Sequence, residues 1–417
     1  MKKKISDKLL LATGILGFLF ILTITLNHRQ PPLFDEVYFV KNFELFEKHG
    51  LSKEFLVKMD NQAPGPLYEL VHFAFKPLTG LTTPGIRLVN VFLLGLTILL
   101  LARIIGIYRN ISFAQSLPFA VALMAVPMVW QVTGLALTEM PTMFFSVLSV
   151  LLLLMAAASE HHALKNILLA FLAGLALGLS ILGRSPFLTL GFASATLLLY
   201  DYKNPQRWRT LLIFGITALG VAIPVFLAWD GLVPPQQAFV GQGFSIWHGI
   251  LAYAYGALLT LFIAPRWFYI NGTVVFYLVA CYILFLLTNL FLIHYEYAPL
   301  DRTLAKIFPP GFMKLYPMMI SPLLATLSVY FVVCSLRQAW IRRTDTVFLF
   351  FLLAGMLILA SSFKVTHLFS TRYVAQAAPF FVLAFPGFDQ PTVSRLIRFL
   401  AAMAIGFFSL ETYFHLM

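Results

Sequence analysis

Long apolar runs separated by short polar breaks dominate this chain. Windows of this kind lie at about 9–27, 88–107, 113–131, 140–158, 166–183, 186–200, 210–229, 250–265, 274–294, 316–336, 346–361, 374–388 and 397–414. Most of them approach the roughly 20 residues that a helix needs to cross a hydrocarbon core. A backbone in lipid must satisfy its own hydrogen bonds, so helices are the default, whereas a transmembrane barrel would show short alternating strands. The pattern predicts an all-α, polytopic protein with about 13 spans, folded as one integral membrane domain over 1–417.

The first break, about 28–87, is long. Asp35 to His49 is helix-friendly and Gly50 supplies a stop. Phe39, Phe43, Leu45 and Phe46 give this helix an apolar side, and Lys41, Glu44, Glu47 and Lys48 a polar one. Such a helix is expected to lie in the membrane interface. The stretch from Pro64 to Leu81 is apolar but broken by proline and glycine, which predicts a re-entrant or interfacial segment.

Composition agrees with the pattern. Of the 417 residues 60% are hydrophobic and 11% charged, against about 25% charged in soluble domains. Lys2-Lys3-Lys4 followed by the apolar run Leu9–Leu26 resembles a secretory signal. The run is longer than a usual signal core and no small-x-small cleavage site follows it, so it is expected to be a retained first span. Cys281 and Cys334 fall inside expected spans and imply no disulfide framework.

The net charge of +12 forms no stripe that would suit nucleic acid. It sorts by loop instead. With the N-terminus inside, the inner segments collect Lys2–Lys4, Lys8, Arg103, Arg109, Lys165, Lys203, Arg207, Arg209, Arg266, Arg337, Arg342, Arg343, Arg395 and Arg398, more than half of the 29 Lys and Arg. That is the positive-inside distribution, and it puts Asp35 and Glu36 on the outer, periplasm-like or lumen-like side. The Asn110 and Asn271 sequons then lie inside and should be unmodified.

Adjacent acids at a membrane boundary are costly to keep without a role. Asp35 and Glu36 are candidates for removing a proton from an acceptor hydroxyl; the plainer alternative makes Asp35 the helix N-cap. Glu139, in Thr138-Glu139-Met140-Pro141, meets the same side. It has the chemistry to orient substrate, hold a divalent cation or assist the first-loop acid, with helix capping as the alternative. Arg184, Lys364, His367 and Arg372, with Tyr373 beside the last, supply cations that could bind a phosphate; singly, each would also serve as a snorkelling interfacial residue. Asn61, Gln62 and Tyr68 in the first loop, and His248, are candidates for lining a pocket, with an ordinary interfacial histidine as the alternative for His248. No His/Cys/Asp spacing argues for zinc, and no phosphate-cradling Gly-rich loop argues for a nucleotide.

Taken together, these residues resemble the GT-C superfamily of integral-membrane glycosyltransferases, which use polyprenyl- or dolichyl-phosphate sugars. The resemblance covers most of the chain in layout. It rests on Asp35-Glu36 after the first span, Pro64-Gly65-Pro66-Leu67-Tyr68 closing the loop, Thr138-Glu139-Met140-Pro141 at a span start, and Arg372-Tyr373 followed by Pro379. The dolichyl-phosphate-glucose glucosyltransferases, the protein O-mannosyltransferases and the lipid A aminoarabinose transferases share this plan. The resemblance implies an inverting single displacement. Asp35, or Glu36 as second choice, would deprotonate the acceptor, while Arg184 and the Lys364–Arg372 group hold the departing phosphate. It implies a lipid-linked donor, a glycan, lipid or protein acceptor, and no nucleic acid. No cofactor is assigned; the absence of Asp-x-Asp argues against obligate metal dependence and leaves a divalent cation open. A bacterial cytoplasmic membrane is favoured over the endoplasmic reticulum. A secondary transporter or lipid flippase is the competing expectation; such proteins place ionisable residues near mid-membrane and often contain inverted repeats.

Overall fold

The computed structural model describes residues 2–59, 65–158, 163–237, 243–295, 297, 299, 304–305, 307–366, 368–386 and 393–415. Helices and no strands are found among them. Ten helices are long and apolar enough to cross a membrane, which makes the chain an integral, multi-pass membrane protein. The first-loop helices are α2 (Glu36–His49), α3 (Lys53–Lys58), α4 (Leu67–Ala74) and α5 (Lys76–Thr79), between α1 (Lys2–Asn27) and α6 (Gly85–Arg109). There follow α7 (Phe113–Ala120), α8 (Pro127–Gly134), α9 (Glu139–Ala158) and α10 (Ala163–Gly183).

Three expected spans take a different form. The window 113–131 is a pair, Phe113–Ala125 and Pro127–Gly134, bent by 80°. Val126 is extended and Pro127 begins α8; a proline lacks the N–H that would continue the ladder. The window 186–200 is Ser185–Leu198, shorter than a span and alternating 3-10 and α turns. The window 374–388 is a 13-residue helix, Arg372–Ala384, with every residue from Val374 onward buried.

The first loop folds as a layer of its own. Phe39 and Phe43 of α2 are buried against α4, with Tyr68 ring centroids 5.1 and 5.6 Å away. Phe46 meets Phe55 and Phe73 edge-on, each at 5.1 Å. The apolar side of α2 therefore faces protein, while Val37 and Tyr38 are exposed. The layer is tied to the bundle by Trp229, whose indole N–H donates to Leu56 O at 2.8 Å. Gly65 lies so close to the end of α10 that a Cβ there would sit 1.8 Å from Leu182 O.

Helix α10 packs on Pro205–Trp229 through a Gly174–Gly178 face. A Cβ at Gly174 would lie 2.6 Å from Phe214 O, and one at Gly178 2.5 Å from Val221 Cβ. Small residues four apart let helix backbones approach closely in lipid, where no hydrophobic force drives them together. Gly174→Leu is therefore expected to cost at least about 1–3 kcal/mol through overpacking. Gly215→Ala, with open space around it, should be neutral or slightly stabilising. Thermal melting in detergent separates the two; equal melting temperatures would remove the case for this seam.

Candidate active site

Four segments far apart in sequence bring charge to one end of the bundle. Asp35 stands at the N-cap position of α2, with φ −66° and ψ −21°, and its side chain makes no capping hydrogen bond. Its carboxylate is turned instead toward the helix Arg372–Ala384, where Arg372 Nη1 donates to Asp35 Oδ2 at 2.6 Å. Both side chains keep partial access to solvent, 26% for Asp35 and 19% for Arg372. Ser370 Oγ accepts from Arg372 Nε at 3.0 Å and fixes the guanidinium plane.

Glu139, the first residue of α9, is fully buried and forms an ion pair with Arg184, which follows α10. Gly183 permits this approach, because a Cβ there would lie 2.2 Å from Thr142 Oγ1 and 2.7 Å from Leu67 Cδ2. One Glu139 oxygen, Oε2, has no hydrogen-bond partner among the described residues, nor has Arg184 Nε. The two ion pairs are neighbours. Glu139 and Asp35 both act electrostatically on Arg372, and the half-buried Tyr373 lies in the field of all four charges. The cluster therefore contains two carboxylates, two guanidiniums and a phenol.

Glu36 takes no part in that cluster. It and Arg87, both fully buried, form a two-toothed ion pair: Arg87 Nε to Oε1 at 2.9 Å and Nη2 to Oε2 at 2.6 Å. The backbone N–H groups of Leu33 and Ala136 donate to the same carboxylate at 2.8 and 2.7 Å. The remaining Arg87 donors reach His28 O and Pro31 O. A carboxylate that accepts four hydrogen bonds has no lone pair directed at a substrate. Glu36 thus has a structural position where a second-choice base was expected.

The other expected residues are placed differently from one another. Lys364 is exposed and outside the cluster's ion pairs. His248 is buried, with Nδ1 2.5 Å from Val365 O, so it is engaged in holding the backbone at Val365 and does not line an open pocket. Tyr68 is buried between Phe43 and His72. Asn61, Gln62 and His367 lie outside the described residues. Among the described residues no group of three His, Cys, Asp or Glu is placed to hold a metal ion. Asp35 and Glu139 are each engaged by a guanidinium.

Helix α4 carries a buried titratable pair outside the spans. Burial, offset in part by Asn42, raises the Glu69 carboxyl from an ordinary value near 4.5 to about 8. Burial also lowers His72 from 6.5 to about 4, against the opposing pull of Tyr68 O. The two act in opposite directions on stability. Glu69 contributes stability that is complete below pH 4.5 and lost as pH rises to about 8; His72 contributes stability that is complete above 6.5 and lost as pH falls to about 4. They offset between 4.5 and 6.5, leaving a net loss from 6.5 to 8. Glu69→Gln is expected to abolish that alkaline fall in melting temperature, and a pH series of melts that is unchanged by the substitution would contradict it.

No protein-family model matches the sequence, and no curated protein matches it. Among solved structures the fold is similar to ArnT from Cupriavidus metallidurans bound to undecaprenyl phosphate, at 13% identity and a TM-score of 0.47, covering 95% of this chain and 77% of that one. It is also similar to ArnT from the same organism in the apo state, at 14% identity and a TM-score of 0.43, covering 90% and 76%. At these values neither likeness assigns an activity. The fold and the charged cluster define an all-helical, multi-pass membrane protein with paired acids and arginines gathered at one end of its bundle.

Proposed function

We propose that this protein is a glycosyltransferase that moves a sugar from a polyprenyl-phosphate donor to an acceptor hydroxyl at the outer face of the membrane. The observation that carries the proposal is the meeting of Asp35, Glu139, Arg184 and Arg372 from four separate segments. Single displacement at an anomeric carbon needs a base and a phosphate-binding cation on its two sides, and Asp35 and Arg372, in contact here, would part to admit the sugar between them.

In this mechanism the donor phosphate takes the Arg372 fork, replacing Asp35 as its partner. The released carboxylate accepts the proton of the acceptor hydroxyl. The acceptor oxygen bonds to C1 from the opposite face as the bond from C1 to the phosphate oxygen breaks. The electron pair leaves on that oxygen, and Arg372 and Arg184 stabilise the added charge. The products are the glycoside, with inverted configuration, and the polyprenyl phosphate. Glu139 keeps Arg184 in place and offers Oε2 to a substrate hydroxyl. Glu36 is reassigned to holding the start of α2.

The test is a set of proteoliposomes containing the full-length protein and a panel of labelled polyprenyl-phosphate sugars. A new glycosidic bond formed from at least one donor is expected. Labelled lipid moved across the bilayer with no new bond would favour a transporter and sink this reading.

A further inference from the structure

The site acids are anchored from a single face of α6, through residues that never touch the reacting groups. Arg87, one turn before Asn90, grips Glu36. Asn90 is fully buried, and its Nδ2 lies 3.2, 3.3 and 2.9 Å from the carbonyls of Val132, Leu135 and Leu137. Its Oδ1 has no partner among the described residues, so all of the amide's hydrogen bonds there run from Nδ2 to the end of α8 and the turn after it. That turn, 135–138, delivers Glu139 as the first residue of α9. The turn is also held by the Ala136 N–H on Glu36 Oε1, and Glu36 adjoins Asp35 in sequence. One helix face thus fixes both members of the acid pair relative to each other.

We propose that Asn90 is a positioning residue for Glu139, and through it for the Arg184 guanidinium; this rests on the glycosyltransferase reading above. Without the amide, Val132 O at the end of α8 and Leu137 O in the turn lose its N–H groups, Leu135 O is left with the Leu137 N–H alone, and the turn must shift to find other donors. A shift of about 1 Å at a reacting group typically costs about 100-fold in rate. The Asp35–Arg372 pair lies on other elements, so donor binding should survive.

The experiment uses purified full-length protein in lipid and compares wild type with Asn90→Ala and Asn90→Ser. For Asn90→Ala the expected result is a kcat lowered about 10- to 100-fold with a donor KM within about twofold of wild type. Modification of Glu139 by a hydrophobic carbodiimide, read by mass spectrometry, should rise about fivefold or more while that of Asp35 is unchanged, because a displaced turn loosens the Arg184 pair. Asn90→Ser keeps one donor for the turn and should recover part of kcat and part of the Glu139 protection. Unchanged kcat and unchanged labelling would overturn the inference. So would loss of folded protein in both variants, which would assign Asn90 to folding alone. If wild type transfers no sugar, the functional reading fails by itself, and the Glu139 labelling still decides whether Asn90 positions that residue.

Discussion

Asp35→Asn is expected to lower sugar transfer by at least about 10²–10⁴-fold, the usual contribution of a general base, with little change in expression or melting temperature. Asparagine is close to isosteric and is itself a good N-cap, and the Asp35 side chain makes no capping bond to lose. The substitution does remove the anionic partner of Arg372. That guanidinium keeps Ser370 as a partner and partial access to water, so no isolated charge is left buried. Donor affinity should hold or improve, because the phosphate no longer competes with a carboxylate for the fork. Kinetics in proteoliposomes, with a melt on the same preparation, check both halves. Transfer near the wild-type rate would remove Asp35 from the mechanism.

Arg87→Met should produce the largest loss of stability in the molecule, about 3–5 kcal/mol, the cost of stranding one partner of a buried ion pair. Arg87 is fully buried, and its guanidinium supplies two of the four hydrogen bonds on Glu36. It also links the end of α1 to α6 through His28 O and Pro31 O. The double variant Arg87→Met/Glu36→Gln should recover part of the loss, since a neutral amide can still accept from the Ala136 N–H and leaves no unpaired charge. Denaturation of the four proteins in detergent gives the coupling energy. Additive losses would show that the two side chains act independently.

Much of this arrangement was legible in the sequence, because lipid makes hydropathy a strong signal. The apolar windows correspond to helical segments, and the departures sit where proline or short length intervenes, at Pro127 and at Ser185–Leu198. Asp35, Glu139, Arg184 and Arg372 stood out as charges at span ends. What hydropathy could not supply was pairing. Neighbouring residues at a helix start point in different directions, so nothing in the Asp35-Glu36 dipeptide tells which acid faces the site and which is sealed by Arg87. Arg87 itself looks like a snorkelling residue at the edge of a span. Asn90 carried the better signal, a polar side chain within the first turn of an apolar run, but its partners lie more than 40 positions away. Tyr68 and His248 were expected to line a pocket because aromatic and imidazole groups often do. Packing partners, visible only in three dimensions, put them elsewhere.

The cancellation of charge in the cluster has a consequence for how a ligand is chosen. Two anions and two cations paired with one another carry no net charge, so their potential falls off faster with distance than that of a lone ion. Such a centre does not draw phosphate from a distance, and dissolved anions gain little by approaching it. Selection then takes place at the moment of contact, through exchange of ionic partners. A molecule already carried sideways within the bilayer meets that condition without help from long-range attraction, so its capture should depend only weakly on ionic strength.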